Sequence, residues 1–188
     1  MNSLNQRPQR RKFSLPFALF MLGAMAPVYG EEEETAAPSL SGQTIVLEDQ
    51  NGQMHRIKFP LSKPMFVTVA GRTGAPHVAS WITPVAADYL EPLHIVGIAS
   101  LAGVPDFLKG PLRKGFQKDS AQWHILMDWE GAAAEKFEME GNGITVFLLE
   151  PTGEVVWEAS GKPDKEKLDS LGQSIKGLLA SETEPTQS

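Results

Sequence analysis

The sequence predicts one three-layer α/β/α domain with a central mixed sheet and an N-terminal β-hairpin. Three observations carry that expectation. Residues 65–70 (Met-Phe-Val-Thr-Val-Ala) and 93–99 (Leu-His-Ile-Val-Gly-Ile-Ala) are nearly continuous apolar runs, the pattern of parallel strands covered on both faces. Between them Val78, Trp81, Ile82, Val85, Ala86 and Tyr89 recur at helical spacing, a stripe that must pack on a sheet. Two further pairs of strand-like segments flank Gln50-Asn51-Gly52 and Pro151-Thr152-Gly153, turn sequences that place a hairpin near each end of the domain. A length of 188 residues, 41% apolar and 21% charged, suits a single folded unit.

In chain order, residues 44–47 and 55–59 form the first hairpin, because Asn-Gly supplies the positive φ angles of a tight turn; His55, Ile57 and Phe59 share one face. The two apolar strands and the helix between them follow. Pro84 lies inside the helical stripe, which carries on past it, so that helix should kink there rather than end. Residues 104–116 predict a short helix broken at Gly110-Pro111, residues 125–127 a short strand and residues 132–137 a short helix. Residues 143–149 and 154–159 make the second hairpin. A last helix spans residues 163–179, opened by Pro163, Asp164 and Glu166 and closed with Lys176 near its end, with Leu168, Leu171, Ile175 and Leu178 as its buried stripe.

Residues 1–30 stand outside this pattern. Arg7, Arg10, Arg11 and Lys12 precede an apolar stretch over residues 13–26, and Val28-Tyr29-Gly30 fits a cleavage site. This order of segments is that of a bacterial-type secretory signal peptide, with a retained N-terminal anchor as the alternative. Arg10-Arg11-Lys12-Phe13 resembles a twin-arginine signal, although Ser14 replaces the usual large apolar residue; the general secretory route comes first and the twin-arginine route second. A periplasmic or secreted protein is expected, with a flexible acidic leader over residues 31–39, the domain over residues 40–180 and a disordered tail over residues 181–188. No membrane span is expected after cleavage.

The net charge is −6, and loss of residues 1–30, with four basic and no acidic side chains, leaves 13 basic against 23 acidic and a charge of −10. Nucleic acid is therefore not an expected partner. The basic cluster Lys109, Arg113, Lys114 and Lys118 reads as a solvated face. The chain has no cysteine, which excludes disulfides, thiolate-ligated metals and thiol nucleophiles together. His55, His77, His94 and His124 lie on separate elements with no ligand spacing, so no metal or cofactor is expected, and any metal site would depend wholly on the fold. No serine stands in a nucleophile elbow. Asp128 and Glu130 read as exposed carboxylates at a strand end, and Trp81 and Trp123 as packing residues.

The segments Lys63-Pro64-Met65-Phe66-Val67-Thr68-Val69-Ala70 and Gly143-Ile144-Thr145-Val146-Phe147-Leu148, the latter followed by Pro151-Thr152-Gly153-Glu154-Val155-Val156, resemble the active-site strand and the Gly-Ile-Pro-Thr hairpin of the thioredoxin superfamily, in particular its redoxin and peroxiredoxin-like branch. Ala70-Gly71-Arg72-Thr73-Gly74-Ala75 is also similar to the Ala-Gly-Arg-Ser-Ser-Ala segment of the YtfJ-type periplasmic family. The resemblance covers the whole domain and implies a thioredoxin-like fold.

Where that superfamily carries its chemistry, this chain departs from it. Counted from the strand, the Cys-x-x-Cys slot falls on Gly74-Ala75-Pro76-His77; counted back from Pro84, it falls on Pro76-His77-Val78-Ala79. Neither holds a thiol, and Thr145 occupies the place of the cis-proline. Disulfide exchange needs thiolate attack, so the chain cannot perform it with its own residues. The resemblance implies a degenerate active site at Arg72, Thr73, Gly74, Ala75, Pro76, His77 and Thr145, with no catalytic residue assigned. The first expectation is a non-catalytic binding or assembly module that holds a protein or peptide partner in the envelope. The alternative is a redoxin-type or antioxidant-related protein in which His77, Arg72, Thr73 and Thr145 handle a small anion at the helix N-terminus, or in which a partner supplies the chemistry. In either case residues 72–77 and the turn before Thr145 should face each other across the start of the helix, with a trans Ile144–Thr145 bond.

Overall fold

The computed structural model describes residues 38–119, 124–139 and 141–183. The expected signal peptide, most of the leader, Trp123 and the end of the tail lie outside the described residues. The elements are β1 (Thr44–Asp49), β2 (Met54–Lys58), β3 (Met65–Ala70), α1 (Val78–Tyr89), β4 (His94–Ser100), α2 (Asp106–Asp119), β5 (Ile125–Asp128), α3 (Ala132–Lys136), β6 (Ile144–Leu149), β7 (Val155–Ser160) and α4 (Lys165–Thr183). The strands form one mixed sheet in the order β2-β1-β5-β4-β3-β6-β7. β3, β4 and β5 are parallel neighbours, and the remaining pairings are antiparallel.

The two apolar runs pair in parallel, Met65 opposite His94 and Ala70 opposite Ala99. Every residue of β3 is buried, as befits a strand covered on both faces. On one face α1 and α4 meet the sheet: Trp81, Ile82, Val85 and Ala86 pack with Leu171, Ile175, Leu178 and the sheet residues Phe66, Val146 and Leu148. The other face is filled by Ala133 and Phe137 against Val67, Val69, Leu126, Phe147 and Leu149. Trp81 is fully buried; its Nε1 donates to the Gly161 carbonyl at 2.9 Å and its ring meets Trp157 edge-on at 6.0 Å. That pairing satisfies the indole N–H and fixes α1 against the loop between β7 and α4.

Several expectations are corrected. The first hairpin closes across Gln50-Asn51-Gly52 as expected, with β1 running on to Asp49 and β2 starting at Met54, but of the Asn-Gly pair only Gly52 has positive φ. The Asp49 carboxylate accepts the Asn51 and Gln53 amides at 2.8 and 2.9 Å, so a side chain supports this turn beside the backbone bonds from Asp49 N to Gln53 O and from Gly52 N to Asp49 O, 2.8 and 3.0 Å long. α2 is not broken at Gly110-Pro111 but runs through both residues. Proline at 111 removes the amide that would bond the carbonyl of Phe107, and Phe107 is 76% exposed, so water can serve that carbonyl. α4 extends to Thr183, which makes the start of the expected tail helical and moves Lys176 away from the helix end. Leu179 still packs on the core, and that contact continues the helix. At its other end Asp164 Oδ1 accepts the Lys167 amide at 2.9 Å, a side-chain cap. Ser39, assigned to the leader, bridges Glu154, and Leu40 beside it is fully buried.

Candidate functional site

β3 delivers the chain to the site. Its last residues pair with the first of β6, Val69 with Thr145 and Ala70 with Ile144, and beyond Ala70 the chain folds directly onto the residues before β6. Gly71 N donates to Gly143 O at 2.8 Å, while Thr73 N and Gly74 N donate to Asn142 O at 2.9 and 3.1 Å. The Thr73 hydroxyl adds a bond of 2.6 Å to the same carbonyl. Segments 69 positions apart in sequence thus lie side by side.

This contact explains two glycines. A Cβ on Gly71 would meet Asn142 Cα at 2.7 Å, and one on Gly74 would meet Gly143 O at 2.2 Å. Neither position has room for a side chain. The Cys-x-x-Cys slot counted from the strand, which begins at Gly74, is therefore sterically closed. The slot counted from Pro84 fits the geometry: Pro76 and Ala79 are exposed, and His77 and Val78 between them are half-buried.

The helix start offers little to an anion. A single 3-10 turn, Ala75–His77, precedes α1. Ala75 N donates to Gly71 O at 3.0 Å, His77 N to Gly74 O at 2.9 Å and Val78 N to Ala75 O. With Thr73 and Gly74 bonded to Asn142 and Pro76 lacking an amide, the amides that lead into the helix, through Val78, are spent within the domain and are not free for an anion. Arg72 is exposed and has no hydrogen bond or ion pair among the described residues. Thr145 is 8% exposed, and its hydroxyl lies 3.1 Å from Ser160 Oγ; no hydrogen bond joins it to His77 or Arg72 among the described residues. The Ile144–Thr145 bond is trans. The expected residues are neighbours along one rim without forming a polar constellation.

At the other side of the sheet the fold assembles a cluster that sequence spacing gave no sign of. β1 lies between β2 and β5, so the end of β1 meets His55 on β2 and His124, the residue before β5. Asp49 is fully buried, and its Oδ2 lies 3.0 Å from His55 Nε2 and 3.2 Å from His124 Nδ1. Burial alone would push its carboxyl up; hydrogen bonds from His55, the Gln53 and Asn51 amides and His124 outweigh that and hold it well below the usual carboxylate range. The only local trace of this cluster is Asp49 before an Asn-Gly turn.

Two more polar expectations change. Asp128 is a buried carboxylate, not an exposed one: it is 1% exposed, and its Oδ2 accepts the amides of Ala133 and Ala134 at 3.0 and 2.9 Å, capping α3. The basic cluster is partly anchored: Arg113 pairs with Glu48, which also accepts the Trp129 indole N–H at 2.7 Å, and Gln117 donates to Gln50 O at 2.9 Å. Polar contacts therefore dock α2 where apolar burial is sparse.

Against known proteins, no protein-family model matches the chain and no curated protein does. Solved structures do match. A Chlorobium tepidum protein assigned as a thiol:disulfide interchange protein DsbE superposes with a TM-score of 0.60 at 16% identity, covering 77% of this chain and 99% of that one. The fold is thioredoxin-like. Peroxidoxin BcpB from Mycobacterium tuberculosis gives a TM-score of 0.55 at 18% identity over 76% of this chain and 98% of its own. The exposed lipoprotein thioredoxin Etrx1 of Streptococcus pneumoniae gives 0.55 at 17% identity over 72% and 99%. At these identities the likeness concerns architecture: a thioredoxin-like domain with Pro76, His77 and Ala79, and no sulfur, at the head of its first helix.

Proposed function

We propose that this chain is an exported, non-catalytic thioredoxin-fold module that binds or assembles with a protein or peptide partner in the bacterial envelope through the exposed head of α1. The carrying observation is a thioredoxin-like fold in a chain with no cysteine, which leaves the fold its surface and removes its thiol chemistry. That surface presents Arg72, without a hydrogen bond or ion pair among the described residues, beside exposed Ala75 and Pro76 and half-buried His77. An exposed guanidinium next to small and apolar side chains suits an extended or acidic segment of another chain. Export is supported by the basic, apolar and small-residue order of residues 1–30 and agrees with the surface location in the name of the pneumococcal neighbour. The redoxin-type alternative with a bound small anion loses support because the amides of Thr73, Gly74, Ala75, His77 and Val78, which lead into the helix, are bonded within the domain.

The test has two arms. The native protein should have the intact mass of a chain starting at or near Glu31 and fractionate with the periplasm; an intact N-terminus in the membrane fraction would overturn export. A photo-crosslinker at Ala75, placed in the chain in its own cells, should give a discrete protein adduct that Arg72→Glu diminishes. An adduct pattern equal to that of a crosslinker at Lys114, and insensitive to Arg72→Glu, would overturn the binding surface.

A further inference from the structure

We propose that Asp49, His55 and His124 form a binding site for a late first-row divalent metal ion, Zn²⁺ best of all. Their three ligand atoms, one carboxylate oxygen and two imidazole nitrogens, lie within 4.8 Å of one another. Two imidazoles and one carboxylate are a donor set that favours zinc and its neighbours over magnesium or calcium. Metal–ligand bonds of about 2.0–2.1 Å in a tetrahedral site put neighbouring ligand atoms about 3.3 Å apart. Oδ2 stands 3.0 and 3.2 Å from the two nitrogens and all three atoms lie within 4.8 Å of one another, so on binding the two carboxylate contacts open slightly while the two imidazole nitrogens draw together, a movement that the exposed His124 ring can supply.

The supporting shell is in place. Asp49 Oδ1 is held by the Asn51 and Gln53 amides, which leaves Oδ2 turned toward the histidines, and an oriented carboxylate is what a ligand requires. Gln50, 3% exposed, accepts the Ile125 amide on its Oε1 at 2.9 Å and ties the turn to the strand that His124 precedes. The ligand-bearing segments are thus fixed to one another before an ion arrives, which lowers the entropic cost of binding. The His124 side chain is 69% exposed, so the ion has an entry path and a fourth position open to water. On binding, each neutral ring carries its proton on the outer nitrogen, Nδ1 of His55 and Nε2 of His124, and the metal takes the place of the hydrogens now shared with Oδ2.

The experiment is a calorimetric titration of the untagged full chain with Zn²⁺, paired with Co²⁺ absorption. One ion per chain at micromolar affinity or tighter is expected, with the intense d–d bands of a four-coordinate Co²⁺ site. His124→Gln and His55→Gln should each weaken binding at least about tenfold and abolish those bands, whereas His94→Gln should leave both unchanged. His124 is exposed enough that its variant folds, which a circular dichroism spectrum checks, so the outcome does not depend on substituting buried Asp49. No saturable binding to the wild type, binding indifferent to both histidine variants, or a six-coordinate Co²⁺ spectrum would overturn the site.

Discussion

Thr68 lies in the middle of β3, fully buried, and its hydroxyl has no hydrogen-bond partner among the described residues. A buried hydroxyl without a partner gives up hydration for nothing, at about 1–3 kcal/mol. Thr68→Val keeps the shape and removes that cost, so it should raise stability by about 1 kcal/mol, seen as a higher urea midpoint at unchanged slope; a lowered midpoint would contradict this. His94 shows a second residue effect. Burial, then the charge of Lys63, hold its pKa below the ordinary 6.5. A depressed pKa means the folded state resists the proton, so the contribution is complete above pH 6.5 and is lost as pH falls through the lowered value. Wild type should therefore lose stability relative to His94→Gln across that acid interval, and parallel stability–pH curves would show that His94 is not responsible. Such couplings escape a linear reading. His55 and His124 meet only because the sheet places β1 between β2 and β5, and Asp128 is legible as an acid at a strand end but not as a buried cap.

At the scale of elements the sequence was far more legible. Periodicity located β3, β4, α1 and the strands of both hairpins because those segments bury one face or both, and burial is what writes a period into composition. It failed where polar or local forces set the boundary. α2 docks through Arg113 on Glu48, Gln117 on the Gln50 carbonyl and Lys109 over the Trp129 ring, so its apolar pattern is too thin to outweigh Gly110-Pro111 in a reading by residue type. Glycines divide along the same line. Gly115, inside α2, has open space where a Cβ would go, whereas Gly74 has a backbone carbonyl 2.2 Å away. Gly115→Ala should stabilise by about 0.5–1 kcal/mol through helix propensity, and Gly74→Ala should destabilise by about 1–3 kcal/mol by forcing the loop off β6. Thermal midpoints that move in the same direction would show that the contact of Gly74 with Gly143 is not as close as described.

For the molecule as a whole, the thioredoxin-like scaffold and the missing cysteines can be separated by experiment. The first was readable from element order and the Lys-Pro and Gly-Ile segments, the second from composition, but the alignment between them was not, because two counts of the Cys-x-x-Cys slot disagreed. Space decides it: Gly74 admits no side chain, while Pro76 and Ala79 are exposed one turn apart at the head of α1. Wild type should not reduce disulfides above a buffer control, since no residue can form the mixed disulfide. The double variant Pro76→Cys, Ala79→Cys should fold, because both changes occur at exposed positions and replacing Pro76 removes no backbone donor. Its two thiols, at a helix start that lowers thiol pKa, should close reversibly to a disulfide, so that the thiol count falls from two to zero on oxidation and returns with reductant. The pair Gly74→Cys, His77→Cys should instead lose the fold through the clash with Gly143. If the second pair folds and cycles while the first does not, the slot lies at Gly74, and the exposed head of α1 has been placed in the wrong register for any surface inherited from a thioredoxin.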